Sequence, residues 1–320
     1  MTLVTAVLRP FRLAHLSDLH IGPLPPLAPR DLLSKRLLGY WSWRSRKQHI
    51  HRIEVLAALE RDLQASAPDH VVITGDLVNL GLPAEFGLAA AWLRDLGGPD
   101  WISVVPGNHD CYLRVGVNEF WTHWADYMVS DGAATPTRAD GGRFPYLRRR
   151  GPIAIIGLSS AVATPPGFAT GRLGAAQLAL LDRMLAELSG DDCCRVVLLH
   201  HPPQAGASGW RKRLIDAAAF RAIVARRGAD LILHGHEHTP VGGLIESRQG
   251  AIPVLGVPSA SSLDARPGRQ AQYQIYAIGR NESGWEVRHE AHGYDRASAS
   301  FVTRPEIALA PAGRASAQPC

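Results

Sequence analysis

The stretch "LILHGHEHTP", from Leu231 to Pro240, places three histidines within five residues directly after an apolar run. These are His234, His236 and His238, with a glycine between the first two. Imidazole titrates near neutral pH, so three imidazoles crowded together are costly if all of them are charged. A histidine-rich surface turn would keep them solvated, whereas a metal site would use some of them as ligands. The rest of the chain decides between these two interpretations.

Apolar strands alternate with helical segments along most of the chain and predict an α/β fold. The strand-like runs include "HVVITG" at 70–75, "PIAIIGL" at 152–158 and "RVVLLH" at 195–200. Helical periodicity appears between them, as in "PAEFGLAAAWLRDL" at 83–96. Three strands then follow one another near the C-terminus: "AIPVLGV", "AQYQIYAI" and "GWEVRHEA". Apolar β-branched strands between helices indicate a sheet that is covered on both faces.

Polar residues follow the ends of these strands in "SDLH", "GDLVN", "PGNHD", "LLHHPP" and "LHGHEH". In open α/β sheets, the loops at the carboxyl ends of the strands converge and form the ligand site. We therefore expect one site to gather Asp18, His20, Asp76, Asn108, His109, His200, His236 and His238.

The residue types and their spacing favour a pair of metal ions. Asp18 and His20 are two residues apart, as are His236 and His238, so in an extended chain each pair points the same way. Carboxylate, imidazole and amide groups are ligands for Mn, Fe, Zn or Co, and no cysteine joins them, which disfavours a structural zinc site. Two cations roughly 4 Å apart need a shared anion and form the geometry that clamps phosphoryl oxygens.

The ordered blocks Asp18-x-His20, Gly75-Asp76, Gly107-Asn108-His109-Asp110, His200 and Gly235-His236-x-His238 resemble the calcineurin-like metallophosphoesterase family. The resemblance runs from about Phe11 to Gly293. It implies an α/β fold, namely a four-layer α/β/β/α sandwich with two central mixed β-sheets, over residues 1–304. It also implies two divalent metal ions as cofactors.

The resemblance assigns a role to each position of these blocks. It implies that Asp18, His20 and His238 hold one metal, that Asn108, His200 and His236 hold the other, and that Asp76 bridges them. A hydroxide held between the metals would attack the phosphorus. His109 would lie near the leaving group as a proton donor or a stabiliser of phosphoryl charge, and Asp110 would orient its imidazole. His15, His201 and His234 are left out of the ligand set, and His51 carries no motif.

The expected reaction is metal-dependent hydrolysis of a phosphoester substrate, with a phosphodiesterase as the leading hypothesis. The "GNHD" and "HHPP" blocks resemble the class III cyclic-nucleotide phosphodiesterase branch. The alternative enzyme is a pyrophosphohydrolase that acts on a lipid-linked nucleotide, similar to UDP-2,3-diacylglucosamine hydrolases. A third hypothesis is a non-catalytic scaffold that kept the fold, against which the complete ligand set argues.

A basic, aromatic insert at about residues 23–47 separates the first motif from the first long helix. Its sequence "PLPPLAPRDLLSKRLLGYWSWRSRK" mixes leucine and tryptophan with lysine and arginine. It is either a cap that packs on the fold with a solvated basic edge, or a lid or interfacial element. Apolar side chains flanked by cations suit an anionic membrane surface or a lipid-bearing phosphate. Nucleic-acid binding is not expected, because the cations are confined to this patch.

The bulk composition is that of an ordinary globular chain of 320 residues, 46% hydrophobic and 20% charged, with a formal net charge of +5. Its four cysteines form no C-x-x-C pair, and the N-terminus lacks the pattern of a signal peptide. No run of about 18 apolar residues occurs. We therefore expect a cytoplasmic protein, with the insert allowing peripheral contact with the inner membrane face. Residues 305–320, rich in Ala, Pro, Gly and Ser, predict a disordered tail.

Overall fold

The strands of the fold are seen in a computed structural model that describes residues 9–113, 119, 122–132, 143–281, 284–304 and 307–308. In chain order they are β1 (Phe11–Leu16), β2 (His70–Ile73), β3 (Ile102–Val104), β4 (Tyr146–Arg150), β5 (Ile153–Gly157), β6 (Cys194–Leu198), β7 (Leu231–His234), β8 (Val241–Ser247), β9 (Gly250–Gly256), β10 (Gln272–Asn281), β11 (Gly284–Asp295), β12 (Ser300–Thr303) and β13 (Ile307–Ala308).

Along the chain, the helices mainly connect successive parallel strands. They are α1 (Arg36–Ser42), α2 (Gln48–Ile50), α3 (Ile53–Ser66), α4 (Pro83–Leu96), α5 (Ala175–Glu187) and α6 (Ala217–Arg227). A π-helical turn, Trp43–Lys47, joins α1 to α2, and 3₁₀ turns occur at Pro29–Leu32, Ala125–Met128 and Leu188–Gly190. Helix α4 matches the predicted span, and it begins with a proline at its first position, where the missing N–H costs no hydrogen bond.

The strands form two mixed sheets. The first has the order β12-β11-β10-β1-β2-β3, with β13 paired to β11, and its β1, β2 and β3 are parallel. The second has the order β4-β5-β6-β7-β9-β8, in which β5, β6, β7 and β9 run parallel between antiparallel edges. Five of the parallel strands are followed by the polar blocks identified in the sequence, namely β1, β2, β3, β6 and β7.

The period-two alternation of the strands explains why the two sheets stack. In β5, Ile153 and Ile155 join the core shared with the first sheet, while Ala154 and Ile156 join a second core beneath α5 and α6. Helices α3 and α4 cover the first sheet with buried residues such as Leu59. The order is therefore helices, sheet, sheet, helices, which confirms the predicted α/β/β/α sandwich.

The insert is anchored to the fold by one arginine. Arg36 donates from Nε to the carbonyl oxygen of Leu80 at 3.0 Å and from its terminal nitrogen to the carbonyl oxygen of Gly81. Helix α1 approaches the fold so closely that a Cβ on Gly39 would overlap the hydroxyl of Tyr112. The insert thus packs on the fold through Arg36 and helix α1.

Parts of two sequence predictions lie outside the described residues. The helix predicted at 116–129 is described at 119 and from 122 onward, where 122–124 are helical. Of the predicted disordered tail, the structure describes only Ile307–Ala308, which pairs with β11 as a short strand.

The buried Arg195–Asp230 ion pair ties β6 to β7, and we predict that Asp230→Ala destabilises the fold. Arg195 Nε lies 3.1 Å from Asp230 Oδ2, and both side chains are almost fully buried. Removal of the carboxylate leaves a buried guanidinium charge uncompensated, so the free energy of unfolding should fall by about 3 kcal/mol in urea denaturation. The matched control is Asp182→Ala, which removes a more exposed partner of Arg226 and should cost less than about 1 kcal/mol. An equal loss of unfolding free energy in the two variants would contradict a stabilising role for the Arg195–Asp230 pair.

Candidate metal centre

The candidate site lies where the carboxyl ends of parallel strands from both sheets meet. Strand β1 ends two residues before Asp18, and β7 ends two residues before His236. Backbone bonds join the loops: Asp18 N donates to Gly75 O at 2.9 Å, and His20 N donates to Asp76 O at 3.0 Å. The loops after β1 and β2 are therefore held in one register.

The backbone at these positions is left-handed, which the sequence does not reveal. Positive φ angles occur at Asp18 (54°), His20 (44°), Asp76 (58°), His236 (77°) and His238 (53°). Residues other than glycine pay roughly 1–3 kcal/mol for such conformations, which cluster at functional sites. We expected the two side chains of each pair to point the same way because the chain would be extended there. That reason was wrong, because the backbone is not extended at these positions. The paired side chains do converge, but from tight turns.

Neighbouring glycines make room for these turns. A Cβ on Gly107 would overlap Oδ1 of Asp76, and a Cβ on Gly235 would overlap Ser17 Oγ and the carboxylate of Asp18. These two glycines therefore permit close approach of backbone to carboxylate, which no larger residue allows without displacement.

The first cluster gathers Asp18, His20, Asp76 and His238. His238 Nε2 lies 3.0 Å from Asp18 Oδ1 and 3.4 Å from His20 Nε2. His20 Nε2 lies 3.9 Å from Asp76 Oδ2. The ligand atoms of the four residues all fall within 4.8 Å of one another, so they could hold one metal ion.

The second cluster gathers Asn108, His200 and His236 beside the same aspartate. His200 Nε2 lies 3.1 Å from Asn108 Oδ1, 3.2 Å from His236 Nδ1 and 3.5 Å from Asp76 Oδ2. The structure thus brings all seven predicted ligand residues together, and Asp76 Oδ2 is the atom near both clusters.

The chemistry of this donor set fits a pair of cations. His236 Nε2 is buried and has no hydrogen-bond partner among the described residues. The Nδ1 atoms of His20 and His200 face carbonyl oxygens, of Val78 at 3.2 Å and Thr74 at 2.6 Å, which leaves each Nε2 aimed at the cluster. A carbonyl oxygen at Nδ1 fixes the tautomer and ring orientation that a metal ligand needs.

The charges point the same way. Burial raises the pKa of Asp76 well above its ordinary value, and the nearby charge of Asp18 raises it further. Burial also acts to raise the pKa of Asp18, but the charge of His238 and its hydrogen bond hold that pKa well below the ordinary value. Two adjacent buried carboxylates are costly without positive charge, and divalent cations between them would supply it.

His109 lies beside the ligands. Its backbone N–H donates to Asp76 Oδ1 at 2.7 Å, its Nδ1 contacts the carbonyl oxygen of Asn79, and its Nε2 lies 3.2 Å from Lys47 Nζ. Because a carbonyl oxygen only accepts, Nδ1 carries the proton, and the Nε2 of the neutral ring accepts a hydrogen bond from the Lys47 ammonium. The imidazole edge and the ammonium therefore face the site together.

Asp110 does not orient the His109 ring, and that prediction was wrong. Its carboxylate accepts four backbone hydrogen bonds at 2.8–3.2 Å, from the N–H groups of Asp76, Leu77, Val78 and Gly107. It therefore braces the two ligand-bearing loops from beneath, while Asn79 O holds the imidazole. Four converging N–H donors explain why a buried carboxylate occupies this position.

Two histidines near the site are engaged elsewhere, as expected for residues outside the ligand set. His201 contacts Ser160 Oγ through Nδ1 at 2.8 Å and Ala169 O through Nε2 at 3.2 Å. Its nitrogens also lie near His200 and His236, but both already have partners. His234 Nε2 lies 3.2 Å from Gln204 Nε2, and its Nδ1 faces the carbonyl oxygen of Gly235 at 3.1 Å.

The sequence reasoning missed Lys47 and His51. The His51 ring lies 4.4 Å from that of His20 and 5.8 Å from that of His238, centroid to centroid, and its Nδ1 is 2.9 Å from Ser261 Oγ. Lys47 reaches His109, as described above. Their four-residue spacing, which puts two side chains on one face of a helical segment, is the signal that could have found them.

A cavity of about 390 Å³ is lined in part by the ligand residue Asn108 and by its neighbour His109. Its remaining lining comes from the insert, from Tyr112, from residues 166–169 and from Arg211 and Lys212. The site therefore has room for a substrate group larger than one phosphate on the side that His109 faces.

The sequence matches the family described as calcineurin-like phosphoesterase over residues 11–240. The chain belongs to this family. A probable cyclic nucleotide phosphodiesterase from Synechococcus sp. is 27% identical over 259 residues, which cover 77% of this chain and 85% of that protein. Calcineurin-like phosphoesterase membership and the assembled ligand set make this chain a metal-dependent phosphoesterase. The hypothesis of a non-catalytic scaffold is set aside.

Solved structures share the fold at low sequence identity. A dimetal phosphatase from Danio rerio matches with a TM-score of 0.59 and 12% identity, covering 92% of this chain and 98% of that chain. A purple acid phosphatase from yellow lupin (Lupinus luteus) seeds also has a TM-score of 0.59, at 10% identity, covering 93% of this chain and 53% of that chain. These likenesses support the sandwich architecture of the calcineurin-like phosphoesterase fold.

We predict that Asp76→Ala gives a folded chain with little bound metal, because Oδ2 of Asp76 is the atom shared by both clusters. Elemental analysis after dialysis against Mn²⁺ measures the metal content, and circular dichroism checks the fold. Asp191→Ala, which removes a half-exposed carboxylate partner of Arg149, is the control and should keep the wild-type content. Retention of two metals per chain by Asp76→Ala would refute the bridging role.

Proposed function

We propose that the chain hydrolyses phosphodiesters at this metal centre. The observation that carries the proposal is the position of His109, beside the seven ligand residues and at the cavity, with Lys47 at its Nε2. A diester needs space for a leaving group and a group that stabilises its departing oxygen, and His109 and the cavity offer both. The Synechococcus relative, a probable cyclic nucleotide phosphodiesterase, supports this reaction class.

The residues divide the work by position. One divalent ion would be held by Asp18, His20 and His238. The other would be held by Asn108, His200 and His236, and Asp76 would contact both ions. When bound, the two ions supply Lewis acidity that activates water and stabilises phosphoryl charge.

His109 and Lys47 act at the leaving group. The N–H groups of the Lys47 ammonium lie beside His109 Nε2, so this pair provides positive charge and a proton for the departing oxygen. Burial is the main cause that lowers the pKa of Lys47, which favours transfer of a proton from its ammonium to the departing oxygen. Burial also lowers the pKa of His109, which keeps its ring neutral and able to hold the ammonium in place.

We predict that His109→Ala keeps both metals but lowers kcat on the order of 10²-fold, as for the loss of a positioned acid. The loss should shrink for p-nitrophenyl esters and grow for alkyl diesters, because p-nitrophenolate leaves without a proton. Steady-state kinetics with bis(p-nitrophenyl) phosphate and with a glycerophosphodiester measure the loss of kcat for a good and for a poor leaving group. The control is His49→Ala, which removes an exposed histidine two residues after Lys47. Equal losses with both substrates would exclude proton donation and leave only charge stabilisation.

A second candidate function is hydrolysis of a membrane-associated phosphoester, such as the diphosphate of a lipid-linked nucleotide. The observation that favours it is the outer face of the insert, where Leu33, Leu37 and Trp41 are 87%, 53% and 73% exposed. Exposed Arg30, Arg44 and Arg46 accompany them. Apolar side chains among cations suit the interface of an anionic membrane. In the described residues, no helix has the length and hydropathy to cross a bilayer, so such contact would be peripheral.

We predict that the chain sediments with anionic vesicles more than with neutral ones, and that added salt weakens this binding. Leu33→Ala with Leu37→Ala should reduce vesicle binding but spare hydrolysis of bis(p-nitrophenyl) phosphate. The matched control is Leu88→Ala with Leu244→Ala, two leucines that are exposed elsewhere on the fold. Absence of vesicle binding at low salt, or an equal loss in the control pair, would remove the membrane hypothesis.

A further inference from the structure

The cavity beside His109 is lined by cations from two opposing walls. The insert contributes Lys35 and Lys47, and the segment after Gly209 contributes Arg211 and Lys212. No aspartate or glutamate lines it among the described residues, and none of the four cations forms an ion pair with a carboxylate there. A concave surface of one charge concentrates ligands of the opposite charge.

Neutral partners hold two of these cations, Lys35 and Arg211, in place. Lys35 Nζ donates to the carbonyl oxygen of Thr164 at 3.2 Å and to its hydroxyl at 3.1 Å, and it lies 4.3 Å from the centroid of the Tyr112 ring. The Arg211 guanidinium lies 5.0 Å from the ring centroid of Trp210 and 5.8 Å from that of Phe168. A neutral hydrogen-bond partner or an aromatic face positions a cation without neutralising it, so the charge remains available to a ligand.

The metal centre cannot neutralise these cations when it is loaded. Burial lowers the pKa of Lys47, and the charges of Asp76 and Asp18 oppose that effect. Both carboxylates are candidate metal ligands, so divalent ions would take up their charge. Lys212 adds to the repulsion at Lys47. A scissile phosphate held by the metals would leave Lys35, Arg211 and Lys212, which also line the cavity, available to bind a further anion.

We propose that this cavity binds a second phosphoryl group, carried by the leaving group of the substrate. The inference rests on the proposed function and narrows it to diphosphate diesters of the nucleoside-diphosphate type. The second phosphate would lie among Lys35, Lys47, Arg211 and Lys212, with the organic group against Trp43, Tyr112 and Phe168.

The reaction of such a substrate balances with water alone. The water oxygen bonds to one phosphorus, and the bond from that phosphorus to the bridging oxygen breaks. The bridging oxygen keeps the electron pair and departs as part of the second phosphate. The products are two phosphomonoesters, which share the two protons of the water. The departing oxygen already belongs to a charged phosphate, so neighbouring cations stabilise it as it leaves.

The test compares two nucleoside substrates that differ in the second phosphate. UDP-glucose has it, and the p-nitrophenyl ester of thymidine 5′-phosphate lacks it. With Mn²⁺-loaded protein, we expect hydrolysis of both. Lys212→Gln and Arg211→Gln should each lower kcat/KM for UDP-glucose by about 10-fold, mainly through KM, since a charge-assisted hydrogen bond is lost. The same variants should change kcat/KM for the thymidine ester by less than about 3-fold.

Two controls sharpen the comparison. Arg44→Gln removes an exposed insert cation that does not line the cavity and should leave both substrates unaffected. Lys212→Arg keeps the charge and should retain most UDP-glucose hydrolysis. Equal losses for both substrates, or hydrolysis of the thymidine ester without any of UDP-glucose, would overturn the second-phosphate subsite alone. If neither ester is hydrolysed, the proposed function fails and the subsite fails with it.

Discussion

Two carboxylates buried beside each other, Asp18 and Asp76, are the constraint on which the site depends. Both side chains are almost fully buried, and both lie in loops that follow parallel strands of the first sheet. The fold stabilises this arrangement by surrounding them with N–H donors and imidazoles, as where His236 N donates to Asp18 Oδ2 at 3.0 Å. Such a cluster is expensive in a metal-free chain and becomes favourable when cations bind, because metal binding free energy then contributes to the stability of the fold.

The left-handed turns follow from the same constraint. In this structure, the carboxylate and the imidazole of Asp18 and His20 converge from a bent backbone, since both residues have positive φ. The strain is held by bonds that lie below the site. Asp110 accepts hydrogen bonds from both the Gly75-Asp76 loop and the Gly107-Asn108 loop, so one side chain fixes two ligand-bearing turns.

Much of this could be predicted from the sequence, because strand ends and residue types are local properties. The strand that ends before "GD" at Asp76 and the strand that ends before "GNHD" at Asn108 are both visible as apolar runs, and the topology of an α/β sheet brings their ends together. Residues whose role depends on long-range packing were not predictable. The resemblance assigned Asp110 to the ring of His109, yet three of its four partners come from a loop more than thirty residues away. His51 carries no motif, and only the placement of the insert brings it to His20.

The insert shows how one short element can join a buried site to the surface. Lys35, Gly39, Trp43 and Lys47, spaced by four residues, all line the cavity beside the metal ligands. Leu33, Leu37 and Trp41, spaced in the same way, are exposed on the other side. A helix of 3.6 residues per turn separates these two sets onto different faces. Lys47 lies at the end of the π-helical turn Trp43–Lys47, where its Nζ reaches His109. Because one short element carries both faces, the position of its cationic face also fixes the position of its apolar face. A substrate whose phosphates reach Lys35 and Lys47 would therefore bind beside the helix that carries Leu37 and Trp41 on its exposed face.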